Sequence, residues 1–236
     1  MLAQAAETQD TLVSRTVRSV TGLIRAGNLG PGDPLPSETE LSRDLGVSRT
    51  VVREAYRSLA TLHLIELGNG RRARVAHLDH HAMSLMIGHG VQTEQISIQQ
   101  VYDVRRTIEM RTVALAALRR SEAEADELVR HARAMAVNFD DPPSVQAHDV
   151  AFHETIATAC RNPVFALITG ALTGVMRETW AVGWQARPND AERWLNVNCH
   201  NAIADAVKAG DPKAASAGIA EHYDHSTKAL VAAGIG

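Results

Sequence analysis

The chain has 236 residues, 45% of them hydrophobic and 22% charged, which excludes wholesale disorder, a collagen-like repeat and a disulfide scaffold. At roughly 150 residues per domain, this length suits two modest domains better than one. The net charge of -3 hides an asymmetry: up to Ala76 there are ten arginines, no lysine and eight acidic residues, which leaves fourteen basic against nineteen acidic residues for the rest.

Histidine is skewed the other way, with His63 alone before Ala76 and ten after it. Aromatic residues make up only 4% and alanine is abundant, which favours helices. Two cysteines, Cys160 and Cys199, make no framework. The opening MLAQAAETQDTLVSR lacks the basic-then-apolar layout of a secretion signal. The best apolar stretch, residues 164–176, falls short of the roughly 18 residues a membrane span needs. A soluble, cytoplasmic protein with no membrane partner is expected.

Val13, Val17, Val20 and Ile24 recur at helical spacing and predict a helix over residues 11–25, ended by Gly27 and GNLGPGD. Ser37 with Glu40 forms a capping-box pattern that opens a short helix through Leu41 and Leu45. Gly46 makes the turn. Ser48 then caps a second helix, with Val52, Ala55 and Leu59 inward and Arg49, Arg53 and Arg57 stacked on the outer face. Helix, glycine turn and arginine-faced helix describe a helix-turn-helix. Two strand-like runs, 64–67 and 72–75, flank Asn69-Gly70, a dipeptide suited to a two-residue hairpin turn, and add a wing. Taken alone, the arginine stripe is equally compatible with a merely solvated helix face.

Everything after Ala76 reads as helix. Residues 79–88 suggest a short linker helix, and Ile98, Val101, Ile108 and Leu115 mark a long one. Ser121 with Glu124 caps the next, and Ser144 lies near the start of another. Asn162-Pro163 and Asp211-Pro212 look like an N-cap followed by proline at the first helical position, and Asn189 or Asp190 opens a helix through Ala206. The expectation is mostly α: a winged helix-turn-helix over 1–76, a linker helix within 77–94 and an all-α bundle of six to seven helices over 95–236.

Asp149 and His153 stand four apart on one helix face, while His200 and His222 fall on two further helices. One carboxylate and three imidazoles from three helices make a ligand set of the kind bundle cores assemble around a metal. Ten histidines offer many such triples by chance, so surface or half-buried roles stay open on spacing alone. Arg105 presents a fork suited to a carboxylate, or pairs with Glu109 one turn on. Arg177, Trp184 and Asn201 are further candidates to line a pocket. His225 is a substitute ligand or a support, His148 should point elsewhere, and Cys199 suits packing better than coordination.

LPSETELSRDLGVSRTVVREAYRSL with the GNGRRARV hairpin resembles the winged helix-turn-helix of the GntR family of bacterial transcription regulators. The run HDVAFHETI, then Asn162-Pro163, His200 to Asp211 and His222 resemble the FCD-type effector and dimerisation domain of its FadR subfamily. The resemblance implies DNA contacts from Ser48, Arg49, Thr50 and Arg53, with the wing tip Asn69 and Gly70 nearing the minor groove and Arg71 on phosphate. It also implies a divalent metal, zinc or else nickel or manganese, on Asp149, His153, His200 and His222. A small organic acid or sugar acid would complete the shell, met by Arg105 and helped by Arg177 and Asn201. The expected partners are a palindromic double-stranded DNA operator and a second copy of the chain. A metal-dependent hydrolase, with Glu109 or Glu154 as base, and a regulator with a purely structural metal are the competing readings.

Overall fold

A computed structural model describes residues 11–68 and 71–234, apart from the side chains of Glu178 and Thr179. The chain forms two compact units that divide between Ala82 and Met83.

In the first unit α1 (Leu12–Ala26) is capped by Thr11, whose hydroxyl accepts from Ser14 N–H, and ends at Gly27. Ser37 and Glu40 form the expected reciprocal capping box on α2 (Glu38–Leu45). Gly46 takes the left-handed conformation at φ 65° that glycine adopts without steric cost, and Ser48 caps α3 (Arg49–Thr61). Val20, Leu35, Leu41, Val52, Leu59 and Ile65 bury a common core. The Tyr56 hydroxyl donates to Pro36 O at 2.7 Å and ties α3 to the chain before α2.

The wing is shorter than its sequence suggests. β1 (Ile65–Glu66) and β2 (Arg74–Val75) pair antiparallel, Ile65 with Val75 and Glu66 with Arg74. Among the described residues the ladder covers only these two pairs, against the runs expected over 64–67 and 72–75. Pro34 bridges Arg74 antiparallel, so a segment before α2 also pairs with the wing. Asn69 and Gly70 lie outside the described residues.

The second unit is helical throughout its described residues. The predicted linker helix is α4 (His81–Gln92), and Ile87 and Val91 pack on the bundle core. A Cβ at Gly174 would collide with Ser84, so glycine allows this close approach. The bundle continues with α5 (Ile98–Arg119), α6 (Glu122–Val137), α7 (Pro142–Ala159), α8 (Pro163–Gln185), α9 (Asp190–Lys208) and α10 (Pro212–Ala232). Ser121, Asn162, Asn189 and Asp211 cap their helices as expected. α7 starts at Pro142, two residues before Ser144, because Pro142 and Pro143 occupy the first positions, where no N–H is needed. α5 packs against α10, α7, α8 and α9, and α9 against α10 and α6, which brings α5, α7, α9 and α10 around one centre. Among the described residues no helix is long and apolar enough to cross a membrane.

Candidate functional site

On the first unit Ser48, Arg49, Thr50 and Arg53 are all exposed along the start of α3. The Ser48 oxygen accepts from Val51 N–H, which leaves its O–H free to donate. Arg53 is engaged by Glu38, with Nη2 to Oε2 at 2.8 Å; this pair lowers the Glu38 carboxyl below its usual range. Arg57 is likewise held by Glu54 at 2.8 Å. A groove between α3 and the wing is lined by Arg53, Arg57, Arg71 and Arg72, with Glu38 at its edge. The arginine stripe thus continues onto the wing, and carboxylates hold part of it in fixed positions.

In the second unit the ligand atoms of Asp149, His153, His200 and His222 all lie within 4.8 Å of one another. Asp149 and His153 come from α7, His200 from α9 and His222 from α10. His153, His200 and His222 are buried, and the Asp149 side chain is 14% exposed. The Phe152 ring meets His153 and His200 edge-on, at centroid distances of 5.7 and 5.1 Å.

Two hydrogen bonds settle the ring tautomers. His200 Nδ1 lies 2.8 Å from the backbone carbonyl of Asn196, which can only accept, so Nδ1 carries the proton. Its Nε2 lies 2.8 Å from Asp149 Oδ1, without good hydrogen-bond alignment. His153 Nδ1 lies 2.5 Å from Glu109 Oε2. Burial pushes the Glu109 carboxyl up, but Arg105 and His153 pull it further down, to about 2. Glu109 is therefore an ionised acceptor for the His153 Nδ1–H. Burial first, and then the charge of neighbouring imidazoles, hold His222 well below the ordinary histidine value. Three imidazoles gathered around a carboxylate, two of them held through Nδ1 by Glu109 and by Asn196 O, form a donor set that suits a divalent cation.

Arg105 is buried and both sequence readings of it meet in one place. Its Nε donates to Glu109 Oε1 at 2.8 Å, and Nη2 reaches the same oxygen at 2.7 Å without hydrogen-bond alignment. It also lines a cavity of about 40 Å³ bordered by Asp149, His153 and His222. The pair is interior, so the tenths of a kcal/mol typical of exposed helix pairs do not apply.

Arg177 and Asn201 do not reach this cavity. Arg177 is exposed and paired with Glu154 at 2.8 Å, because its position on α8 faces α7 from outside. Asn201 is half-buried, and its amide turns back to Val197 O. Trp184 is buried against Trp180, which lines the cavity in its place. Glu154, offered as a base, is held on the surface by Arg177, and Glu109 is committed to Arg105 and His153. His148 meets His131 at 3.0 Å. His225 turns towards Cys199, 3.7 Å from its Sγ, in a separate group with Glu221, and burial raises the Cys199 thiol to about 11.

The cavity also holds residues the sequence did not single out: Arg187, Asn196, Thr173 and Ser226. Asn196 is one turn before His200, and Ser226 one turn after His222, so helical spacing could have found both. Arg187 carries no such signal. It lies in the bend between α8 and α9, yet is only 7% exposed.

A winged helix-turn-helix with an arginine-lined groove, together with a second, helical domain around a polar centre, defines a DNA-binding regulator. Comparison with known proteins agrees. Residues 12–75 match the bacterial regulatory proteins of the gntR family, and residues 100–225 match the FCD domain. The repressor NanR of Escherichia coli K12 is 30% identical over 214 residues, covering 86% of this chain and 78% of the relative. The galactonate operon transcriptional repressor of Escherichia coli K12 is 27% identical over 222 residues, covering 92% and 95%. A solved GntR protein from Streptococcus agalactiae shares the fold with a TM-score of 0.64 at 24% identity, covering 92% of this chain and 99% of that one. The chain belongs to the GntR family of bacterial transcription regulators, in the FCD-bearing FadR subfamily, and is not an enzyme.

Proposed function

We propose that the protein is a repressor that binds a palindromic operator as a homodimer and leaves it when a small carboxylate or sugar acid enters the cavity beside a divalent metal ion. The observation that carries this reading is the convergence of Asp149, His153, His200 and His222, whose ligand atoms all lie within 4.8 Å of one another. Asp149, His153, His200 and His222 would hold the ion, and Glu109 and Asn196 O fix the rings of His153 and His200. Zinc fits this N/O donor set, as do nickel and manganese. A bound divalent ion supplies positive charge and open positions for an anion. Repression is supported by the two curated relatives, and a sugar-acid effector by the one named for a galactonate operon. Such a regulator works in the cytoplasm, and two-fold protein symmetry demands two-fold DNA symmetry.

Effector binding shifts the DNA affinity only if the effector binds the two dimer geometries unequally. The cavity is lined from α5, α7, α8, α9 and α10, so one ligand contacts five helices and is sensitive to their spacing.

Elemental analysis of protein purified without chelator or affinity metal is expected to find about one divalent ion per chain, lost in His200→Ala. A metal-free protein that takes up no ion on titration would refute the site. For the DNA half, Arg49→Ala is expected to cost about 1–3 kcal/mol of discrimination between specific and scrambled duplexes. Arg71→Ala is expected to weaken both duplexes alike and to lower the salt slope by about 1. Equal losses on both duplexes for Arg49→Ala would overturn the assignment of base contact to that residue.

A further inference from the structure

Arg187 is the cation of this cavity that contacts no carboxylate among the described residues. Its Nη1 donates to Gly183 O at 2.6 Å and its Nη2 to Ser226 Oγ at 3.3 Å, both uncharged acceptors. Among the described residues it makes no ion pair, whereas Arg105 is paired with Glu109. A guanidinium has five N–H groups, so three remain for a ligand. Thr173 Oγ1, Asn196 Oδ1 and Arg105 Nη2 are also buried at the cavity without an aligned hydrogen-bond partner. The wall is therefore short of partners for cationic and hydroxyl-bonding groups, and short of them on more than one side.

A count of ionised side chains says how much negative charge is missing. Arg105 and Arg187 balance Glu109 and Asp149, and imidazoles that ligate a metal are uncharged, so these side chains sum to zero in the metal-bound site. A divalent ion on the four ligands raises the total by two. A single carboxylate then leaves one positive charge uncompensated in a buried site, which is expensive, and two carboxylates cancel it.

We infer that the effector is a compact dicarboxylate, with one carboxylate at the metal and Arg105 end of the cavity and the second on the guanidinium of Arg187. This rests on the metal-and-effector reading above and deepens it. Arg187 becomes the residue that separates diacids from monoacids of the same backbone, because a planar fork takes a carboxylate through two parallel N–H bonds. The orphaned Asn196 and Thr173 oxygens fit a hydroxyl on the chain between the two acids.

The test uses the full-length, metal-loaded protein and matched pairs of acids that differ by one carboxylate, malate against lactate and galactarate against galactonate. Binding is read by calorimetry and by the shift in melting temperature. The diacid of at least one pair is expected to bind roughly 10- to 100-fold more tightly than its monoacid, the value of one or two charge-assisted hydrogen bonds. Arg187→Met is expected to abolish that preference while keeping the metal, and Arg187→Lys to retain part of it. Should Arg187→Met fail to fold, the wild type and Arg187→Lys carry the decision. Monoacids that bind as tightly as diacids, no binding by either diacid, or a preference unchanged in Arg187→Lys and Arg187→Met would each overturn the inference. Metal content is measured on the same samples. A protein that holds its ion but prefers monoacids overturns only the dicarboxylate, whereas one that holds no ion refutes the metal reading and this inference with it.

Discussion

Glu109→Gln is expected to lower the stability of the helical domain by roughly 3–5 kcal/mol, the cost of breaking a buried ion pair from one side. The side chain is 1% exposed and serves two partners, Arg105 through one oxygen and His153 through the other. Glutamine has nearly the same volume, so the loss reports charge and hydrogen bonding and leaves packing intact. Its neutral amide leaves Arg105 without a counter-charge. It also takes away the carboxylate that keeps the proton on His153 Nδ1, so the ring is free to carry it on Nε2, where a metal ligand needs a lone pair. Divalent-ion affinity should therefore fall about 10- to 100-fold, as it does when the hydrogen-bond partner of a ligating histidine is removed. Urea unfolding and chelator competition on the same preparation separate the two effects. A variant that loses stability but binds its ion with unchanged affinity would show that Glu109 only pairs Arg105 and does not orient His153.

Phe152→Ala is the second large effect, about 3–5 kcal/mol. The ring is fully buried in the bundle core and lies edge-on to the imidazoles of both His153 and His200. Its removal leaves a cavity against two candidate ligands, so their positions should loosen as the core does. Phe152→Leu fills most of that volume and is expected to recover much of the stability. Unfolding curves of the two variants decide the matter: equal destabilisation would mean that the aromatic edge contacts, more than volume, hold this part of the core together.

Much of the fold was legible because the signals are local. Ser37 with Glu40, Ser121 with Glu124, Asn162-Pro163 and Asp211-Pro212 set helix starts by satisfying N–H groups within a turn. Asp149 and His153 share a face because helical geometry places residues four apart together. The wing was read less well: Pro34, forty residues upstream of Arg74, bridges it, and no pattern inside the hairpin announces that.

What the sequence by itself determined is therefore the order and type of the helices, the arginine-faced recognition helix, and four metal-ligand candidates whose atoms meet within 4.8 Å. Only the tertiary structure decided how these are supported. It set Glu109 against His153 across 44 positions and Arg53 against Glu38 across 15. It sent Arg177 to the surface and drew Arg187 inside. The reason is physical: capping and helical spacing act within one or two turns, whereas the burial and pairing of an arginine depend on which distant helix packs over it.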